Sequence, residues 1–155
     1  MRYLYFLFFI LLFSCQDENL IYCRSKVIKN NIWAHNDTLN FDVDIKDSTL
    51  IFDVNINVRN DNSYPYNNLG LLFLINKGDS LIYNDTLNLT VSCEEEGWIG
   101  NGWGSLFEFK TNVITDFNLQ DTGVYNFMIL QYMKDNELKG INSVGLELEI
   151  VDYSF

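Results

Sequence analysis

A chain of 155 residues, 48% of them apolar, is long enough for one domain with a proper core and too hydrophobic to be disordered. Ten basic residues against 21 acidic ones give a net charge of −11, a surface that repels phosphates and argues against nucleic acid as a partner. With one histidine, three cysteines, no CxxC pair and no Cys/His cluster, metal or redox chemistry through cysteine has no support, and no cofactor is expected.

The chain opens on Met1-Arg2 and an apolar run over residues 3–13. That run is shorter than the roughly 20 residues of a spanning helix and has the length of a signal-peptide core. Leu12-Phe13-Ser14-Cys15 resembles the bacterial lipobox, with Phe13 bulky for its slot. The expected organisation is a lipoprotein signal peptide over residues 1–14, a lipidated tether over 15–20 and a single β-sandwich domain over 21–155. Cys15 would carry acyl chains such as palmitate and make the membrane a partner. Losing residues 1–14 removes one arginine and no acid, which takes the net charge from −11 to −12. Cys23 and Cys93 remain, as one disulfide or as two separate thiols.

Residues 21–28 read as a first strand, with Lys29-Asn30-Asn31 after it; Trp33 and His35 lie before the next. Leu39, Phe41, Val43 and Ile45 alternate with Asn40, Asp42, Asp44 and Lys46, and Leu50, Phe52, Val54, Ile56 and Val58 alternate with Asp53, Asn55, Asn57 and Arg59. Period-2 alternation predicts two strands with one apolar face each. Asp47-Ser48-Thr49 between them predicts an antiparallel hairpin. Residues 60–68 are turn-rich and hold the only proline, in Tyr64-Pro65-Tyr66. Residues 69–75 are almost wholly apolar and predict a strand covered on both faces. Asn76-Lys77-Gly78-Asp79 is a hairpin turn into a strand over 80–91.

Residues 93–104 form a glycine-rich loop with Trp98 and Trp103, and residues 105–114 are strand-like again. Asp121-Thr122-Gly123-Val124-Tyr125 has the Asp-x-Gly-x-Tyr spacing of a tyrosine corner. A strand over 125–133, a hairpin loop over 134–140 and an alternating strand over 144–150 complete the chain. About eight strands, turn signals every ten residues or so and no helical period outside the signal predict an all-β fold. The expected architecture is an antiparallel two-sheet sandwich, immunoglobulin-like or jelly-roll.

No catalytic set can be nominated around His35, and the strand carboxylates read as solvated faces, so a non-enzymatic role is expected. Glu94-Glu95-Glu96 could contribute oxygens to a calcium site, though EF-hand spacing is absent. Gly97, Gly100, Gly102 and Gly104 leave Trp98 and Trp103 little local cover, so these rings either plug one end of the sandwich or meet a partner, protein or sugar. Tyr64 and Tyr66 allow the same two readings. Asp37-Thr38-Leu39, Asp47-Ser48-Thr49, Asp79-Ser80-Leu81 and Asp85-Thr86-Leu87 resemble O-glycosylation acceptors of exported Bacteroidetes proteins.

Several motifs in order resemble one family. Val58-Arg59-Asn60 with Tyr64-Pro65-Tyr66-Asn67-Asn68-Leu69 resembles the "LRN…YPYSNL" segment of the GldH family of Bacteroidetes gliding-motility lipoproteins. Trp98-Ile99-Gly100-Asn101-Gly102 with Gly104 is similar to its "W-x-G-x-G-x-G" loop. Gly123-Val124-Tyr125 to Met133 is similar to its "GxYxFxIxQxM" strand, and Leu138-Lys139-Gly140-Ile141 with Val144-Gly145-Leu146 to its "LxGIxxVG" ending. Tyr132 and Lys134 depart from the pattern. The resemblance implies a non-enzymatic lipoprotein of the cell envelope, anchored at the outer membrane. It would support gliding motility beside the type IX secretion apparatus and companion motility lipoproteins. Pro65, Asn67, Gly100, Gly102, Gly123, Tyr125 and Gly140 would be turn and packing positions, with Tyr64, Tyr66, Trp98 and Trp103 as partner contacts. The runner-up reading is a surface lipoprotein that binds carbohydrate through exposed aromatics.

Overall fold

The computed structural model describes residues 19–93 and 97–152, without the side chain of Trp103. The signal peptide, Cys15, most of the tether and Glu94-Glu95-Glu96 lie outside the described residues. The strands are β1 (Leu20–Val27), β2 (Ile32–Ala34), β3 (Leu39–Ile45), β4 (Phe52–Asp61), β5 (Asn68–Lys77), β6 (Ser80–Thr90), β7 (Ser92–Cys93), β8 (Gly97–Trp98), β9 (Asn101–Trp103), β10 (Leu106–Phe117), β11 (Gly123–Gln131), β12 (Glu137–Lys139) and β13 (Ile141–Ile150).

All pairings are antiparallel. One sheet has the order β1-β13-β4-β10-β9 and a second β3-β11-β5-β6, with two small ribbons, β12-β2 and β7-β8. The expectation of about eight strands in two sheets is therefore corrected to thirteen strands in four among the described residues. Each alternating run forms a long strand. The added strands are two or three residues long, too short to carry a readable period.

One core joins the two larger sheets. From one side come Phe52, Val54, Ile56, Val58, Leu146 and Leu148; from the other come Phe41, Leu71, Phe73, Ile75, Phe127 and Ile129. Each such side chain taken fully from water contributes roughly 1.5–3 kcal/mol. The rings of Tyr83 and Phe117 meet edge to face across the sheets at 5.9 Å.

Three further sequence expectations are overturned. β3 and β4 form no hairpin: β3 pairs with β11, while β4 pairs with β10 and β13. Asp47-Ser48-Thr49 instead carries the chain across the core, with the Asp47 carboxylate accepting from the Thr49 amide at 2.9 Å. β11 and β13 likewise lie in different sheets, and residues 134–140 contain β12, which pairs with β2 through Leu138 and Trp33. β5 is covered fully on its inner face only; Leu72 and Leu74 are half-exposed on the outer one. The β5–β6 hairpin forms as expected, with Gly78 at φ 56° in its turn. Trp33, unassigned by alternation, is completely buried and donates its indole N–H to the carbonyl of Asp37 at 2.8 Å.

Candidate functional site

The turn between β4 and β5 is built by its own side chains. The Asp61 carboxylate accepts from the Ser63 amide at 2.7 Å and from the Asn31 side-chain amide at 3.0 Å. The Tyr64 amide donates to the Asp61 carbonyl at 3.1 Å. Such a local bond is how aspartate forces a turn at the end of a strand. Pro65 is exposed, and its peptide bond is trans, since no described bond is cis.

The turn places Tyr64 inside and Tyr66 at the surface. Tyr64 is 3% exposed and its hydroxyl donates to the Asn68 carbonyl at 2.7 Å. Tyr66 is half-buried and donates to the Asp135 carboxylate at 2.8 Å, with the Lys134 ammonium 5.8 Å from its ring centre. The two rings meet edge to face at 6.0 Å. Burial pushes the Tyr64 pKa well up, and the hydrogen bond to Asp135 raises that of Tyr66, so both remain phenol donors at neutral pH. Asn67 fastens the next loop: its carbonyl accepts from the Val91 and Ser92 amides at 2.8 and 3.1 Å, and its side chain accepts from the Ser92 hydroxyl at 2.9 Å.

The glycine-rich loop closes on the same place. Trp98 stacks on Phe107 at 5.7 Å and leans on Tyr64 at 6.4 Å, and its indole N–H donates to the Asn62 side chain at 3.0 Å. Its ring is half-buried, and the face against Phe107 is covered. Gly100, at φ 98°, lets the backbone cross Glu108, whose carbonyl oxygen would lie 2.1 Å from any Cβ there. Gly102 lies against the Phe107 ring, 2.8 Å from where its Cβ would be. Gly140, at φ 85°, passes under Tyr64.

The structure thus gathers Tyr64, Tyr66 and Trp98 at one end of the fold, with Pro65, Asn67, Gly100, Gly102 and Gly140 holding them. Trp103 enters through its backbone in β9, opposite Leu106. Gly123 and Tyr125 do not join them. They sit at the opposite end, where the Tyr125 hydroxyl donates to the Asp121 carbonyl at 2.8 Å, the tyrosine-corner bond. Sequence reading missed Asp135, Asn62 and Phe107, which no spacing marks. Gln131 is assigned no role from sequence: this buried side chain donates to the Asp135 carbonyl and accepts from the Met133 amide, both at 2.8 Å, and so shapes the loop that presents Asp135.

His35 is exposed. Cys23 and Cys93 are free and exposed, on different sheets, with the Cys23 sulfur 3.8 Å from a Glu147 carboxylate oxygen. Among the described residues, no three His, Cys, Asp or Glu side chains are placed to hold a metal ion.

These features define a class: an antiparallel β-domain in which the Tyr64-Pro65-Tyr66, Trp98-to-Gly102 and Gly140 motifs converge as one aromatic-and-glycine end. The chain belongs to the GldH lipoprotein family, whose model matches residues 20–148. It is 33% identical over 154 residues to a gliding motility lipoprotein GldH homolog of Christiangramia forsetii, covering 95% of this chain and 94% of that one. It is 29% identical over 150 residues to gliding motility lipoprotein GldH of Flavobacterium johnsoniae, covering 92% of each. Among solved structures it is similar to dimeric latent PorU from Porphyromonas gingivalis, at a TM-score of 0.34 and 11% identity. That likeness covers 88% of this chain and only 14% of the other, and is too distant to bear on fold or function.

Proposed function

We propose that this chain is a lipid-anchored component of the cell envelope that supports gliding motility. Acylated Cys15 holds it on the outer membrane, and it acts without catalysis, as an interaction part beside the type IX secretion and motility machinery. One observation carries this reading: the motif end lies opposite the tether. Leu20 pairs with Glu149 at one end of the sheet, near Phe52, whereas Tyr64 follows Asp61 at the far end of β4. β4 has ten residues, so the two ends are roughly 30 Å apart at about 3.3 Å per residue. A short tether on Leu20 keeps the membrane at one end and offers Tyr66 and its surroundings at the other. Exposed Asn62, Ser63, Pro65 and Asn67 around half-buried Tyr66 give the polar rim and aromatic centre of a protein-binding patch.

The test is a crosslinked pull-down from intact cells with a C-terminal tag, comparing the native chain with Cys15→Ala and Tyr66→Ala. Other motility or secretion lipoproteins should come down with the native chain, fall away with Cys15→Ala, and drop with Tyr66→Ala although that variant folds. Equal recovery from all three would overturn the reading. Recovery of glycan alone would move carbohydrate binding ahead of it.

A further inference from the structure

The two sides of the sandwich are closed differently. On one side, edge strands β1 and β3 approach each other, and the Lys26 ammonium sits 5.5 Å from the ring centre of Phe41. On the other side, β6 and β10 meet at one end, where Tyr83 packs on Phe117, and part toward the other, where a cavity of about 460 Å³ opens between them. Its apolar floor is Leu87, Leu89, Ile99, Phe109 and Val113, with Thr111 among them.

Both flanking strands have open backbone edges among the described residues. β6 pairs only with β5. β10 pairs with β9 only from Leu106 to Glu108. There Gly100 turns the chain away over Glu108, and along residues 109–113 no strand pairs with the outer edge of β10 among the described residues. From Phe109 to Asn112 the inner register against β4 stays regular, opposite Val58 to Asn55, before bulges set in. The two edges are not equivalent. On β6 the Thr86 amide is already taken by the Asp85 carboxylate at 2.8 Å, a device that blocks strand pairing. The amides of residues 109–113 have no such side-chain acceptor among the described residues.

We propose that residues 109–113 of β10 receive an extended segment of a partner protein as an added strand, with β6 as the far wall of the groove. Alternate outward N–H and C=O groups repeat along this edge at a spacing that only another extended polypeptide matches, and its alternate side chains would fall on the apolar floor. The net charge of −11 argues against a second copy, because two such chains repel, and draws a cationic segment to the molecule as a whole, while Lys110, the one charged residue lining the groove, is held by Glu147 and Glu149. The site adjoins the aromatic end at Ile99 but does not use Tyr66, and it needs no lipid anchor.

The test is hydrogen–deuterium exchange on the whole chain, held in detergent, with about millimolar synthetic peptide in which lysine alternates with valine. Protection is expected at the outward-facing amides of residues 109–113, which alternate with those already bonded to β4, and not at those of β1 or β3. The same peptide with alternate backbone nitrogens methylated should protect at least about tenfold less. Thr111→Trp, which fills the groove from a half-exposed position, should abolish protection while thermal unfolding confirms that the domain is folded. No protection at 109–113, or equal protection at β1 and β3, would overturn the proposal. Protection that grows with protein concentration without peptide would assign the edge to a second copy and overturn the partner.

Discussion

A Cβ at Gly140 would lie 2.3 Å from the amide nitrogen of Tyr64 and 2.5 Å from its Cα. Gly140 also donates its amide to the Asn31 carbonyl and accepts from the Asp61 amide, both at 2.9 Å, so it cannot move aside. Left-handed strain of roughly 1–3 kcal/mol adds to a steric cost of similar size. Gly140→Ala should therefore cost about 3 kcal/mol, read as a lower urea midpoint. An unchanged midpoint would mean that the contact is easily relaxed.

Positive φ alone does not make a glycine indispensable. Gly78 has φ 56° and open space around its missing Cβ, whereas Gly100 faces the Glu108 carbonyl at 2.1 Å. Asparagine tolerates the left-handed region. Gly78→Asn should stay within about 0.5 kcal/mol of the native chain. Gly100→Asn should detach β9 from β10, which hydrogen exchange over residues 101–108 would report.

The tyrosine corner joins a buried side chain to a loop carbonyl. Tyr125→Phe keeps the ring and removes the bond to Asp121, at a cost of about 1 kcal/mol in chemical denaturation. A neutral result would show that the corner only follows from the turn.

The outer face of the β1-to-β9 sheet should make stability fall in acid. Burial opposes charging of Glu147, but hydrogen bonds from Lys110 and Asn57 outweigh it and hold its pKa below the ordinary value. The contribution is complete above the unfolded carboxylate pKa of about 4.3 and lost as pH falls through the folded value. Lys110 also feels burial, but hydrogen bonds to Glu147 and Glu149 raise its pKa, so its share persists until the pH climbs past about 10.4. Glu147→Gln should lower the melting temperature at neutral pH, with the gap to the native chain closing below about pH 4. A gap independent of pH would assign the effect to packing.

The long strands were legible because burial imposes a period of two: Leu39, Phe41, Val43 and Ile45 are all buried, and the intervening residues are exposed. The turns at Gly78 and Tyr125 were legible because their bonds are local. The aromatic end was legible in part: Tyr64, Tyr66 and Trp98 stood out by residue type, but Asp135 and Phe107 carry no local mark.

The sequence by itself determined the β class, the inner faces of the alternating strands β3, β4 and β13 and the family motifs, since these depend on neighbours a few residues apart. Only the tertiary structure decided which strands pair. An alternating strand specifies the face it buries but not its neighbour, so Asp47-Ser48-Thr49 could close a hairpin or cross the core, and it crosses. The meeting of Tyr64 with Trp98 and Gly140 depends on that pairing: β10 against β4 brings in Phe107 and the glycine loop, and β13 against β4 brings in Gly140.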